Sequence, residues 1–323
     1  MKAVRIHEFG PTEEVLQYEE VPVPQPSAQE ILIKVEAASL NRADLGLRRG
    51  TYRVAPEDLP ITPGREFAGT VSALGADVHD YAVGQRVLAY PGKGGYAEYA
   101  LSKATLVRPI PAGVDSVTAA AVPTVFLTAW FAFLEDARLK SGNFALIHAG
   151  SSGVGNAAIQ VAKHFGSHVV ATAGSEDKCR RVRELGADLV INYAANDFAP
   201  EVLRFTGGRG VDVVLEMIGG EVYHKSLQVL APGGRLVSIG GAFGAIPEPP
   251  PALTEGRKAT RFSITSYLAT HPEGLRQLDE ILNLVRAGTF KVIIGRPFPL
   301  TEARAAQRYL ESRDHFGKVV LVM

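Results

Sequence analysis

The sequence predicts an α/β protein in which a β-rich segment precedes a parallel sheet wound with helices. Three observations predict it. From residue 144 onward, apolar runs of strand length alternate with helical stretches, the pattern of parallel strands covered on both faces. Residues 1–122 lack that alternation and read mostly as short strands, with prolines at 22, 24, 26, 56, 60 and 63 keeping the connections irregular. A glycine-rich turn, Gly150-Ser-Ser-Gly153-Val-Gly155, joins the first strand of the alternating region to its helix.

Taken in order, the strands of the first part are expected at 4–6, 31–35, 69–74, 86–89 and 96–100. Small and apolar residues then run in a helical pattern from Thr118 to Leu134. The alternating region follows: strand 144–148, helix 154–165, strand 168–173, helix 176–185 and strand 189–192. A strand at 211–216, a helix at 223–230 and a strand at 235–239 continue it. Beyond Pro247-Glu-Pro-Pro-Pro251 the order changes, with helices at 274–287 and 301–311 and a last strand at 318–322. These elements divide into 1–122, an inserted 123–262, and 263–323, which returns to the first part.

Composition excludes several classes. Lys+Arg and Asp+Glu both number 34 and no basic run occurs, so a nucleic-acid or membrane-surface role is not expected. The most apolar stretch, Ala119 to Leu134, is short of a membrane span and reads as a buried helix. Hydrophobic residues at 46% and charged residues at 21% suit a soluble globular chain. A lone cysteine, Cys179, excludes an internal disulfide and points to a reducing compartment, so the cytoplasm is expected.

The glycine turn carries the chemistry. Gly153-x-Gly155-x-x-Ala158, between an apolar strand and a helix, fits a dinucleotide-binding fingerprint. The first glycine permits the tight turn, the second lets backbone approach a pyrophosphate, and Ala158 lets the helix pack on the sheet. The helix start then offers free N–H groups to phosphate. An NAD site places a carboxylate at the end of the second strand. Here that strand ends in Ala173-Gly174-Ser175, without one. Glu176 and Asp177 suit a helix N-terminus capped by Ser175. Ser175 and Lys178 suit a 2′-phosphate, which favours NADP(H).

These motifs resemble those of the zinc-independent medium-chain dehydrogenases/reductases, of the NADPH:quinone oxidoreductase type. The resemblance runs through Ala37-Ala-Ser-Leu-Asn41-Arg-Ala-Asp44, Gly50-Thr-Tyr52, Pro63-Gly-Arg-Glu-Phe-Ala-Gly69, Gly94-Gly-Tyr-Ala-Glu98, Ala173-Gly-Ser-Glu-Asp-Lys178, Gly207-Gly-Arg-Gly-Val-Asp212 and Phe316-Gly-Lys-Val-Val-Leu321. It implies a GroES-like catalytic domain made from both chain ends and an inserted Rossmann domain, with a cleft between them for nicotinamide and acceptor. It implies that Ser151, Ser152, Gly153 and Val154 meet the pyrophosphate, and that Gly174, Ser175, Lys178 and Tyr193 hold the 2′-phosphate end. Gly240, Gly241 and Phe243 fall where the family lines the nicotinamide pocket, and Lys318 joins the cofactor set. A homodimer is implied too, through edge strands of the nucleotide domains, here 262–267. The turn departs from the usual Ala-Ala-Ser-Gly-Gly-Val-Gly: Ser152 either adds a phosphate donor or resists a positive φ.

No metal is expected. Where zinc-dependent relatives carry a cysteine this chain has Asn41, and the Gly-His-Glu turn has become Gly64-Arg65-Glu66. Zinc wants thiolates or imidazoles at defined spacing. His148, at a strand end, reads as packed or hydrogen-bonded, and Arg65 either pairs with Glu66 or faces the cleft. Without a Lewis acid the expected acceptor is an activated one, a quinone or an α,β-unsaturated carbonyl. Asn41, Tyr52 and Thr128 are candidate donors to its oxygen. Two other readings compete. One is an enoyl-thioester reductase, served by a basic patch of Arg48, Arg49, Arg53, Arg257, Lys258 and Arg261. The other is a non-catalytic NADPH-binding sensor or structural protein.

Overall fold

The computed structural model describes residues 1–52, 54–240 and 253–323. Met1–Thr124 and Leu275–Met323 form one unit, and Val125–Gly274 forms a second. Residues 263–274, assigned from sequence to the returning segment, therefore belong with the second unit.

The first unit opens with an antiparallel pair, β1 (Lys2–Ile6) and β2 (Leu16–Glu20). Its main sheet centres on β3 (Glu30–Ser39). Helix α1 (Arg42–Arg48) follows directly. Strands β4 (Phe67–Leu74), β5 (Arg86–Ala89), β6 (Tyr99–Lys103) and β7 (Val107–Pro109) come next. The helical stretch expected from 118 to 134 is α2 (Ser116–Ala120), α3 (Pro123–Phe131) and a π-helical turn at Ala132–Asp136.

The second unit is the alternating region. Its elements are β8 (Phe144–Ile147), α4 (Gly153–His164), β9 (His168–Ala173), α5 (Glu176–Arg183), β10 (Leu189–Asn192) and α6 (Phe198–Phe205). They continue as β11 (Val211–Glu216), α7 (Gly220–Gln228), β12 (Leu230–Ser238), β13 (Lys258–Arg261) and α8 (Ile264–Thr270). All strand pairs are parallel, in the order β10-β9-β8-β11-β12-β13. The chain winds outward one way from β8 and the other way from β11. The switch point lies between those two strands, and the glycine turn leaves β8 beside it. In such sheets ligands bind at the carboxyl ends of the strands at this point. Apolar runs such as Ala145-Leu-Ile147 and Val213-Val-Leu215 are buried throughout, because helices cover both faces.

The chain then returns through α9 (Gln277–Arg286), β14 (Ile294–Pro299), α10 (Ala303–Ser312) and β15 (Lys318–Val322). β15 pairs antiparallel with β3, setting Val320 opposite Ser39 and Leu321 opposite Ala38. The shared core takes Ile31, Ile33 and Val35 from β3, Val319 and Leu321 from β15, and Ala303, Ala306 and Leu310 from α10. That register brings Lys318 beside the start of α1.

One expectation fails outright: 262–267 is no edge strand. Ser263 caps a helix there, its hydroxyl accepting from the Ser266 N–H, and Ile264 and Leu268 are buried four residues apart on α8. Among the described residues the terminal strand at that end of the sheet is β13, and β10 ends the other.

Candidate active site

The nucleotide turn is built by its own backbone. Ala149 takes a positive φ of 49°, and the Gly150 N–H is held by the Thr172 carbonyl at 2.8 Å. Asn156 Nδ2 donates to the Gly150 carbonyl at 2.6 Å. A Cβ on Gly155 would stand 2.1 Å from the Ala149 oxygen, so glycine is required there by the turn itself as well as by any ligand. Ser152 has an extended backbone (φ −76°, ψ 168°), so the concern over a positive φ does not arise. Its Oγ accepts from the Gly155 N–H and donates to Met217 Sδ at 3.7 Å, so the hydroxyl serves as a cap and not as a spare donor. The N–H groups of Gly153 and Val154 open α4 and have no intrahelical acceptor.

At the end of β9, a Cβ on Gly174 would meet Tyr193 Oη at 2.5 Å, so the bare glycine seats the half-exposed tyrosine. Ser175 caps α5 by accepting from the Lys178 N–H at 3.3 Å, which sets Lys178 on the first turn. The two acids are engaged locally: Glu176 accepts from Asn192 Nδ2 at 2.7 Å, and Asp177 pairs with Arg180. At the ends of β11 and β12, Glu216 Oε2 and Ser238 Oγ are buried without a partner among the described residues. Gly240 follows with a φ of 68°. Gly241 and Phe243 lie outside the described residues. A glycine-lined turn, a helix start with unpaired N–H groups, a seat under Tyr193 and Lys178 on the first turn of α5 fit a phosphorylated dinucleotide.

The first unit carries a buried polar cluster that sequence did not reveal. Lys318 Nζ donates to the Leu40 carbonyl (2.8 Å), Asn41 Oδ1 (2.8 Å) and Glu66 Oε1 (2.9 Å). Asn41 Nδ2 donates to the same Glu66 oxygen at 2.8 Å. Glu66 Oε2 accepts from the Thr124 N–H at the start of α3, and Thr128 sits buried one turn further along that helix. Burial alone would raise the Glu66 pKa, but the Lys318 charge and the bonds from Thr124, Asn41 and Lys318 hold it below its ordinary value. Asp44 Oδ2 accepts from the Asn41 N–H (2.8 Å) and from Tyr96 Oη (3.1 Å). Complete burial still pushes its carboxyl up to about 6.

Arg65 does not serve as the partner expected for Glu66, which Lys318 takes. It donates to Tyr52 Oη at 3.0 Å and lies over the Tyr52 and Tyr90 rings. Several of the residues named for a basic patch are engaged elsewhere. Arg48 is fully buried against Gln307, the Pro11 carbonyl and Glu311, Arg49 pairs with Glu311, and Arg257 pairs with Glu255; Arg53 lies outside the described residues. His148 is packed as expected, bonded to Thr172 Oγ1 (3.1 Å) and Ser226 Oγ (2.9 Å), and burial lowers its pKa to about 3.

The donor set does not fit zinc. The positions that hold ligands in zinc-dependent relatives carry a carboxamide and a guanidinium, and Glu66 is neutralised by an ammonium 2.9 Å away. Cys179 is buried on α5 in the other unit. Among the described residues no group of three His, Cys, Asp or Glu could hold a metal.

Comparison with known proteins agrees with this architecture. A profile described as an alcohol dehydrogenase GroES-like domain matches residues 27–112, and one described as a zinc-binding dehydrogenase matches residues 185–321. A quinone oxidoreductase of Rattus norvegicus is 33% identical, covering 100% of this chain and 98% of its own. The crystal structure of an Escherichia coli quinone oxidoreductase complexed with NADPH superposes with a TM-score of 0.91 at 30% identity, covering both chains fully. That of the CurK enoyl reductase does so with 0.89 at 31%, covering 100% of this chain and 99% of its own. With a full-length relative above 30% identity and both domain profiles matched, the chain belongs to the quinone oxidoreductase family of medium-chain dehydrogenases/reductases.

Proposed function

We propose that this protein is an NADPH-dependent reductase that passes hydride to a quinone or an α,β-unsaturated carbonyl without a metal. The observation that carries the reading is that the second unit holds a dinucleotide turn, while the first has Asn41 and Arg65 where zinc-dependent relatives carry a cysteine and a histidine. Bound NADPH supplies the hydride. The residues proposed to hold it are Ser151, Gly153 and Val154 through backbone N–H groups, with Gly174, Ser175, Lys178 and Tyr193 at the 2′-phosphate; the Ser152 N–H is held instead by the Ala149 carbonyl at 2.9 Å. Gly240, Gly241 and Phe243 are proposed for the nicotinamide end.

Asn41 donates a hydrogen bond to the acceptor oxygen, which takes up negative charge as hydride arrives. Tyr52, whose oxygen accepts from Arg65 at 3.0 Å, is a second candidate donor. Thr128 is a third candidate. The proton that completes reduction comes from Tyr52 or from water.

NADPH oxidation by chelator-treated protein, measured against quinones, enones and enoyl thioesters, tests the reading. Turnover with quinones or enones, unchanged by the chelator, is expected. A preference for enoyl thioesters would favour the second reading, supported by the likeness to the CurK enoyl reductase. Binding of NADPH with no turnover of any acceptor would point to a sensor. A cytoplasmic homodimer also belongs to this reading. Its contact is now proposed through β13, and light scattering of the purified protein checks its mass.

A further inference from the structure

The Asn41 carboxamide has two faces of similar shape and opposite chemistry. In most settings its orientation is a matter of small energy differences. Here it is forced. The Lys318 ammonium can only donate and the ionised Glu66 carboxylate can only accept. Oδ1 must therefore turn to Lys318 and Nδ2 to Glu66, as the 2.8 Å contacts on both sides record. One N–H of the amide is spent on Glu66 and the other has no partner among the described residues. Asn41 keeps 8% of its surface exposed, while Lys318 keeps 5% and Glu66 none. The ammonium has filled its three hydrogens on Leu40, Asn41 and Glu66, leaving none for a cofactor phosphate.

We infer that Lys318, with Glu66, is a positioning residue that locks Asn41 as an outward hydrogen-bond donor to the acceptor oxygen. Lys318 thus leaves the set of residues that hold the cofactor. The inference rests on the proposed role of Asn41 and adds its cause. A flipped amide would turn its oxygen toward an acceptor oxygen that gains negative charge, and two acceptors repel. The pair makes that state inaccessible, because it would also set the amide N–H₂ against an ammonium and the amide oxygen against a carboxylate. Preorganisation of this kind lets a donor act on developing charge without reorienting during the reaction.

A double-mutant cycle on the full-length protein tests it. Asn41→Ala is expected to lower kcat about 100-fold, the scale of losing one donor to developing charge. Lys318→Met is expected to lower kcat about tenfold or more, with the dissociation constant for NADPH, read by fluorescence quenching, within about twofold of the parent. In the Asn41→Ala background, Lys318→Met should change kcat less than about twofold, because its effect passes through Asn41. Lys318→Met alone strands a buried carboxylate, so Glu66→Gln/Lys318→Met supplies a second probe. It removes both charges, and its glutamine offers Asn41 a donor and an acceptor alike. The same kcat loss is expected from it. Losses that multiply across the cycle would overturn the positioning role and leave Asn41 a donor. So would weakened NADPH binding from Lys318→Met in both backgrounds. An Asn41→Ala variant with parental kcat would instead remove the donor role on which the inference stands.

Discussion

At the scale of single residues, two buried titratable groups act on stability in opposite directions. His148 is neutral in the fold, with its pKa lowered to about 3 by burial. The unfolded chain therefore binds a proton that the fold refuses, and stability falls as pH drops from about 6.5 toward 3. Asp44 is raised to about 6, so the fold takes a proton before the unfolded chain does, and stability rises as pH drops from about 6 to 4. The His148 shift is the larger, and each unit is worth about 1.4 kcal/mol. Melting temperatures measured between pH 7 and 4 should therefore fall with acid, and more steeply in Asp44→Asn, which lacks the opposing contribution. Lys178 bears on cofactor choice. Lys178→Ala should weaken NADPH by about 2 kcal/mol, roughly thirtyfold, and leave NADH nearly unchanged, as isothermal titration would show. The local chemistry of these residues was legible, since Ser175-Glu-Asp-Lys178 reads as a capped helix start with a cation. The partnership of Lys318 with Glu66 was not. Their side chains meet across 252 positions of sequence, and no local pattern reports such a contact.

At the scale of elements, the unit from β8 to β10 was legible almost to the residue, because each step there carries its own signal. Buried parallel strands read as apolar runs, the glycine turn marks a helix start, and Ser175 marks another. Elements whose local signals conflict were misread. Phe262-Ser-Ile-Thr-Ser-Tyr267 has the β-branched and aromatic content of a strand, yet the Ser263 cap and the burial of Ile264 and Leu268 make α8. Likewise β2 alternates over only Leu16, Gln17, Tyr18 and Glu19, too short a signal beside Glu20, and its pairing with β1 makes it a strand. The turn between β8 and α4 permits a sharp prediction. Gly155→Ala drives a methyl group into the Ala149 carbonyl, which is backbone and cannot move aside. A loss of about 1–3 kcal/mol in denaturant unfolding is expected, with NADPH binding impaired beyond that.

At the scale of the molecule, two units of different construction come from one chain, and the proposed function divides between them. The parallel-sheet unit is proposed to hold the dinucleotide, and the mixed-sheet unit to supply the donors. NADPH should therefore protect Val125–Gly274 preferentially in hydrogen exchange, by about 2.7 kcal/mol at a hundredfold excess over its dissociation constant. Equal protection of both units would count against that division. The place of β15 has a consequence for synthesis. β3 is made within the first forty residues, yet the neighbour that brings Lys318 to Asn41 is made only after the whole second unit has been spelled out. A nascent chain halted near Thr270 would thus hold an α/β unit with its strands in place and a mixed sheet missing two of its own. On the ribosome, the part proposed to bind the dinucleotide can mature while the part proposed to activate the acceptor waits for the final strand.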